Sequence, residues 1–193
     1  MQKRLVYFFV FNGFSDWEIS YVMPELNKSP LYEIKTFSLD GQPVYSMGGL
    51  KILPDLAIAD VEMENLAMLV LPGGDAWEEE KLREVSPLVE QVHQSNIPIA
   101  AICGATILLA EMGLLNQIEH TSNAKEYLKA IVPGYKGAIY YLDQRTVSDK
   151  NIITATGIAP IEFAREIFRE LNLYEDAAIE KWFQLFRNGV WIE

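Results

Sequence analysis

Three short apolar runs, each stopped by small residues, constrain this chain more than any other feature. Leu5–Phe11 stops at Asn12-Gly13, Ala67–Leu71 at Pro72-Gly73-Gly74, and Ile97-Pro98-Ile99-Ala100-Ala101-Ile102 at Cys103-Gly104. Near-continuous hydrophobicity over so few residues marks strands buried on both faces, which is the habit of parallel sheets covered by helices. The segments between them read as helices. One is capped by Ser15 or Asp16 and runs to about Asn27, with Pro24 interrupting or kinking it. Another runs from about Glu78 to Ser95, with Leu82, Val85, Leu88, Val89 and Val92 on one face. Tyr32–Leu39, Ile118–Ser122, Ala138–Leu142, Thr146–Val147 and Ile152–Ala155 read as further strands, and Val44–Leu53 as a hairpin turning at Gly48-Gly49. Helices are expected near 124–131 and over the stretch carrying Ile161, Ala164, Ile167, Phe168 and Leu171. The fold class is therefore α/β, with a mostly parallel sheet and helices on both faces. Ligands in such folds bind at the carboxyl ends of strands. Asn12-Gly13, Pro72-Gly73-Gly74, Cys103 and Thr156-Gly157 all fall on that edge.

The length of 193 residues suits one domain. We place it at 1–172, followed by a helical tail at 173–193 in which Ile179, Trp182, Phe183 and Phe186 share a face ahead of Val190-Trp191-Ile192. That tail either packs on the domain or forms a homodimer contact. A net charge of −11 argues against nucleic acid as a partner, which requires a basic patch. No apolar run is long enough for a membrane span. Leu5–Phe11 reads as a buried first strand and not as a signal peptide, because Asn12-Gly13 ends it without a small-residue cleavage site. The single cysteine excludes an internal disulfide and a multi-cysteine metal site, and suits a reducing cytoplasm.

Cys103 lies where a strand turns sharply into a helix. There a nucleophile stands above the sheet, and the helix N-terminus favours thiolate over thiol. The backbone N–H groups of the turn can stabilise an oxyanion. A small buried core cysteine is the competing reading of these residues. Glu18 follows the first strand; alone it reads as a surface helix residue, yet a carboxyl beside a thiol can act as base or hydrogen-bond donor. Only two histidines exist. His93 reads as a surface residue. His120, just before Thr121-Ser122, either reaches the site or points elsewhere. Asp16, Trp17, Asp75, Trp77 and Tyr140 are candidate pocket residues.

Gly13-x-x-x-x-Glu18, Leu71-Pro72-Gly73-Gly74 and Ala101-Ile102-Cys103-Gly104 together resemble the ThiJ/PfpI superfamily. The likeness continues through Gly113-Leu114-Leu115, Thr121-Ser122 and Thr154-Ala155-Thr156-Gly157 into Ile161-Glu162-Phe163-Ala164-Arg165-Glu166. It covers nearly all of the chain to Leu171. It is nearest to the small bacterial branch of YdeA type, whose members are labelled intracellular proteases. The resemblance implies a flavodoxin-like three-layer sandwich related to class I glutamine amidotransferases. It implies Cys103 as nucleophile, Glu18 as its carboxyl partner, and the amides of Gly74 and Gly104 as oxyanion hole. It implies no metal and no organic cofactor, and a small-molecule substrate. Three departures stand out. Gly104 replaces the histidine that follows the nucleophile in PfpI-type proteases. Asn123 stands where many relatives carry a histidine or aromatic residue. Thr156 stands where arginine is common. The absence of a late His-x-Glu pair argues against glutamine amidotransferase activity. The expected function is a cysteine-dependent hydrolase or lyase on a small electrophile, glyoxalase- or deglycase-like. The alternatives are a redox-sensing stress protein and an intracellular cysteine protease with His120 as base.

Overall fold

The computed structural model describes residues 2–191, with Glu80 described by its backbone alone. Ile192 and Glu193, the end of the expected aromatic tail, lie outside that range. A seven-stranded sheet forms the centre, in the order β5-β2-β1-β6-β7-β9-β8. Its strands are β1 (Arg4–Phe9), β2 (Tyr32–Ser38), β5 (Leu56–Ala57), β6 (Leu66–Leu71), β7 (Ile99–Ile102), β8 (Thr146–Asp149) and β9 (Ile152–Ala155). The pairing is parallel throughout except for β8, which runs antiparallel to β9 at one edge. β3 (Val44–Tyr45) and β4 (Lys51–Ile52) form the expected hairpin apart from the main sheet. Every residue of β6, β7 and β9 is buried, so these strands can sit only between helical layers.

The helices are α1 (Asp16–Ile19), α2 (Val22–Lys28), α3 (Ser86–Gln94), α4 (Ala105–Glu111), α5 (Lys125–Ile131), α6 (Pro160–Glu170) and α7 (Asp176–Asn188). α2 packs on β2, α6 on β9, and both α3 and α4 on β7. The architecture is the flavodoxin-like sandwich that the resemblance implied. The first helix breaks at Ser20-Tyr21, ahead of Pro24. Pro24 then falls in the opening turn of α2, where its missing N–H has no intrahelical partner to lose.

Three expected elements differ. The long helix from Glu78 is instead two 3₁₀ segments, Asp75–Glu78 and Glu80–Val85, followed by α3. Pro87 explains the break, since it cannot donate the bond that would carry an α-helix through this point. Ile118–Ser122 contributes only a single bridge, His120 to Tyr141, and Ala138–Leu142 is largely a 3₁₀ turn over Gly137–Ile139. Both are short segments that pair with each other only through that bridge and lack strand partners along the rest of their length. Among the described residues no helix is long and apolar enough to cross a membrane.

In the tail, Ile179 is buried and Trp182 stacks edge-on against Phe168 of α6 at 4.8 Å. Tyr21 meets both Trp182 and Phe186. α7 thus lies on α6, while Phe186, Val190 and Trp191 keep exposed surface.

Candidate active site

Cys103 occupies the tight turn between β7 and α4 with φ +59°. Among the described residues six non-glycine residues have positive φ, and four are asparagines, whose side chains tolerate this region. Cysteine has no such compensation, so its conformation is a local strain held by the surrounding structure. Its N–H is anchored to the Ala155 carbonyl at 2.9 Å, which fixes the turn against the end of β9. Thr106 Oγ1 donates to the Cys103 carbonyl at 2.6 Å and lies 2.7 Å from Ser122 Oγ, tying the turn to α4.

Glu18 is fully buried on the single turn of α1. Gly73 holds it from the end of β6. The Gly73 carbonyl accepts from Ser15 N–H at 2.9 Å, and the Gly73 N–H donates to Glu18 Oε2 at 2.6 Å. The carboxyl lies against the thiol. A methyl group built on Gly157 would meet Cys103 Sγ at 2.8 Å and Glu18 Oε1 at 3.2 Å. One on Gly73 would strike Cys103 Cβ at 2.4 Å, so neither position admits a side chain without displacing the pair. Glu18 Oε1 has no hydrogen-bond partner apart from the Cys103 thiol it lies against. Burial raises the Glu18 carboxyl to about 7, against the pull of the Gly73 N–H. Burial and the nearby Glu18 charge push the Cys103 thiol up to about 11, with the Asn123 amide and the Gly104 N–H pulling the other way. The expected resting thiolate is therefore replaced by a thiol beside a carboxyl poised near neutrality. The N-terminus of α4 does not outweigh desolvation of the sulfur.

Gly74, at φ +147°, has its Cα against the Gly13 carbonyl, where a Cβ would come within 2.6 Å. A Cβ on Gly104 would meet the Gly74 carbonyl at 2.8 Å. The histidine absent at position 104 therefore could not be introduced without moving the Gly74 backbone.

Asn123 is the partner that the sequence reading did not assign. Its Nδ2 donates to Cys103 Sγ at 3.2 Å, and its Oδ1 accepts from Gly157 N–H at 2.9 Å. The signal was present in its position just after Thr121-Ser122, where the family resemblance implies a histidine or an aromatic residue.

The structure does not bring His120 to the thiol. Its Nδ1 donates to the Ile118 carbonyl at 2.8 Å, and Nε2 accepts from the Tyr135 hydroxyl. The ring is fully buried between Tyr135 and Tyr141, and burial lowers its pKa, keeping it neutral. With both nitrogens engaged it cannot serve as the base for Cys103, and the expectation that it might is corrected. His93 is exposed on α3. Trp77 is core, its indole donating to the Pro72 carbonyl at 2.7 Å, and Asp16 accepts from Ser46 Oγ at 2.8 Å. Of the candidate pocket residues only Trp17 joins Glu18 and Cys103 in the cleft, a space of about 560 Å³ also lined by Asn123, Arg145 and Thr156.

A strained elbow cysteine beside a buried, unpaired glutamate defines the class of site in which a carboxyl serves a thiol. The family model described as "DJ-1/PfpI family" matches residues 4–170, and the chain belongs to that family. It is 38% identical to the Bacillus subtilis protein named "Uncharacterized protease YdeA", over 98% of this chain and 93% of that one. It is 32% identical to "Glutathione-independent glyoxalase DJR-1.2" of Caenorhabditis elegans, over 68% of this chain and 69% of the relative. The crystal structure of a thiJ/pfpI family protein from Bacillus anthracis superposes with a TM-score of 0.89 at 37% identity, covering 98% of this chain and 93% of the other.

Proposed function

We propose that the protein is a cysteine-dependent enzyme acting on small electrophilic carbonyl compounds, with glyoxalase- or deglycase-like chemistry. The observation that carries this reading is Glu18 Oε1, buried, without a hydrogen-bond partner apart from the thiol it lies against, at the floor of a cleft. A carboxyl titrating near 7 is matched to general acid–base work at neutral pH. Cys103 Sγ adds to the aldehyde carbon of a 2-oxoaldehyde while the thiol proton passes to Glu18. The carbonyl oxygen becomes an alkoxide held by the Gly104 and Gly74 amides, and is protonated to a hemithioacetal. Glu18 gives the thiol proton to that oxygen, then moves the proton of the former aldehyde carbon to the neighbouring carbon while the hydroxyl proton passes to the neighbouring oxygen, giving a 2-hydroxy thioester. Water releases a 2-hydroxy acid and restores the thiol. Electrons balance within the substrate, so no external oxidant or reductant enters. The glyoxalase name of the Caenorhabditis elegans relative supports this reading.

The protease alternative assigned the base to His120, which is committed to Ile118 and Tyr135, so it loses the histidine on which it depended. The redox-sensor alternative requires a low thiol pKa, and burial moves Cys103 the other way. The test is conversion of methylglyoxal to lactate by wild type, Cys103→Ser and Glu18→Gln. Turnover that vanishes in the first variant and falls by roughly a hundredfold or more in the second supports the proposal. Equal turnover in wild type and Cys103→Ser, or none on oxoaldehydes and glycated amines, overturns it.

A further inference from the structure

Beyond Cys103 and Glu18, the cleft is lined by residues from the turn entering β8 and the end of β9. Here the Thr156 N–H donates to the Arg145 carbonyl at 3.0 Å, fixing these two residues side by side. Two side-chain oxygens among the described residues are buried without a hydrogen-bond partner, and both belong to this cleft. One is Glu18 Oε1, which has only the Cys103 thiol against it; the other is Thr156 Oγ1. A buried hydroxyl is normally satisfied, so an unsatisfied one at a ligand cleft marks a contact kept for the ligand.

Arg145 is the one cation among the described residues lining the cleft. Its Nε lies 3.6 Å from Glu162 Oε1, beyond hydrogen-bond reach, whereas Arg187 Nε bonds the same oxygen at 2.9 Å. Arg187 thus serves Glu162 first, and the Arg145 guanidinium, about half exposed, keeps donors for another acceptor. A guanidinium and a hydroxyl on two residues that line the same cleft and are joined through their backbones supply donors of the kind the two oxygens of a carboxylate take. Asp143, exposed on the same wall, balances the Arg145 charge and disfavours a dianion such as phosphate.

We propose that Arg145 and Thr156 form a carboxylate subsite, so that the carbonyl compound attacked by Cys103 carries a carboxylate. This deepens the function proposed above and rests on Cys103 being its nucleophile. Alkylation of Cys103 tests it without needing turnover. Saturation kinetics of iodoacetate against iodoacetamide, and of 3-bromopropionate against 3-bromopropanamide, give an acid-to-amide ratio for each chain length. The same ratios on N-acetylcysteine supply the reference. The subsite predicts a protein ratio about tenfold above reference for at least one length, the gain expected of a charge-assisted hydrogen bond. Thr156→Val leaves the net charge unchanged and should reduce the gain severalfold. Arg145→Gln should abolish it, and Arg145→Lys should keep only part. Ratios at reference for both lengths, or a gain indifferent to Thr156→Val, overturn the subsite. The amide rates separately report the Cys–Glu pair, because their pH profile shifts to lower pH in Glu18→Gln whenever that pair operates, whatever the acid-to-amide ratio.

Discussion

Two buried glutamates answer the same physical problem in opposite ways. Glu162, at the first turn of α6, is 5% exposed and has Arg187 and Arg145 on its Oε1. Glu18, on α1, is fully buried with one backbone N–H on Oε2 and only the Cys103 thiol against Oε1. Burying a charge is tolerated when it is paired, or when the group neutralises by shifting its pKa. Glu162 is held by its hydrogen bond from Arg187 as a structural joint between α6 and α7, with the Arg145 guanidinium farther off at 3.6 Å. Glu18 is held near the point of gaining or losing a proton, which suits chemistry and does nothing for stability. The contrast separates a carboxylate that the fold uses from one that the fold carries for a ligand.

The largest effect expected from this contrast is kinetic and falls on Glu18 alone. Glu18→Gln keeps the acceptor for Gly73 N–H but cannot take the thiol proton. Turnover should fall by roughly a hundredfold, a value typical of losing a positioned base, while the Cys103 thiol, freed of the neighbouring carboxylate charge, should ionise at lower pH than in wild type. A fall of less than about threefold would mean that Cys103 reacts without Glu18, and the comparison would lose its functional half.

The next effect is thermodynamic and has a definite sign. Glu18 rises from 4.5 in the unfolded chain to about 7 in the fold. Between those values the native state binds more protons than the unfolded state, so stability falls as pH climbs from 4.5 through 7. The loss is complete above that window and amounts to about 3 kcal/mol. Glu18→Gln removes it. The variant should therefore unfold in more denaturant than wild type at pH 8–9, and the difference should shrink below about pH 5. Denaturant midpoints at several pH values measure this. A variant less stable than wild type at pH 8–9 would show that the carboxylate is stabilised after all.

How far the sequence discloses this arrangement depends on the kind of signal. The central strands were legible because β6, β7 and β9 are buried on both faces and read as unbroken apolar runs. The elbow was legible because Cys103 ends one of those runs directly before Gly104. Glu18 was not legible from its own neighbourhood, where Asp16-Trp17-Glu18 resembles any surface turn. Its burial depends on Gly73, far away in sequence, donating to it. His120 was ambiguous for the same reason. Only the tertiary placement of Tyr135 and the Ile118 carbonyl decides which way its ring faces. The long helix from Glu78 misled because its apolar spacing continues across Pro87, which local pattern reading underweighted against periodicity.

Glu162 supplies the smaller structural counterpart. Glu162→Gln leaves Arg187 an oxygen to bond but removes the charge between the two arginines. Both guanidiniums are more than a third exposed, so solvent screens most of the interaction, and the expected loss is about 1 kcal/mol. It should shrink in high salt. A loss above roughly 3 kcal/mol would place Glu162 in a fully desolvated ion pair and bring the two glutamates closer in kind than the exposures suggest.

The smallest effect concerns Asn123, which donates to the Cys103 sulfur. Its Nδ2 donates to Sγ and its Oδ1 receives the Gly157 N–H, so it links the thiol to the glycine that leaves room for Glu18. A hydrogen bond to sulfur favours the thiolate over the thiol, but sulfur is a weak acceptor. Asn123→Ala should therefore raise the thiol pKa slightly and slow alkylation about threefold. Asn123→Asp should slow it more, because it replaces a donor with a negative charge facing the same sulfur. The rate–pH profiles of both variants read this directly. If Asn123→Ala reacts as fast as wild type, the side chain only braces Gly157, and stabilisation of the developing thiolate falls to the Gly104 N–H and the proton transfer to Glu18.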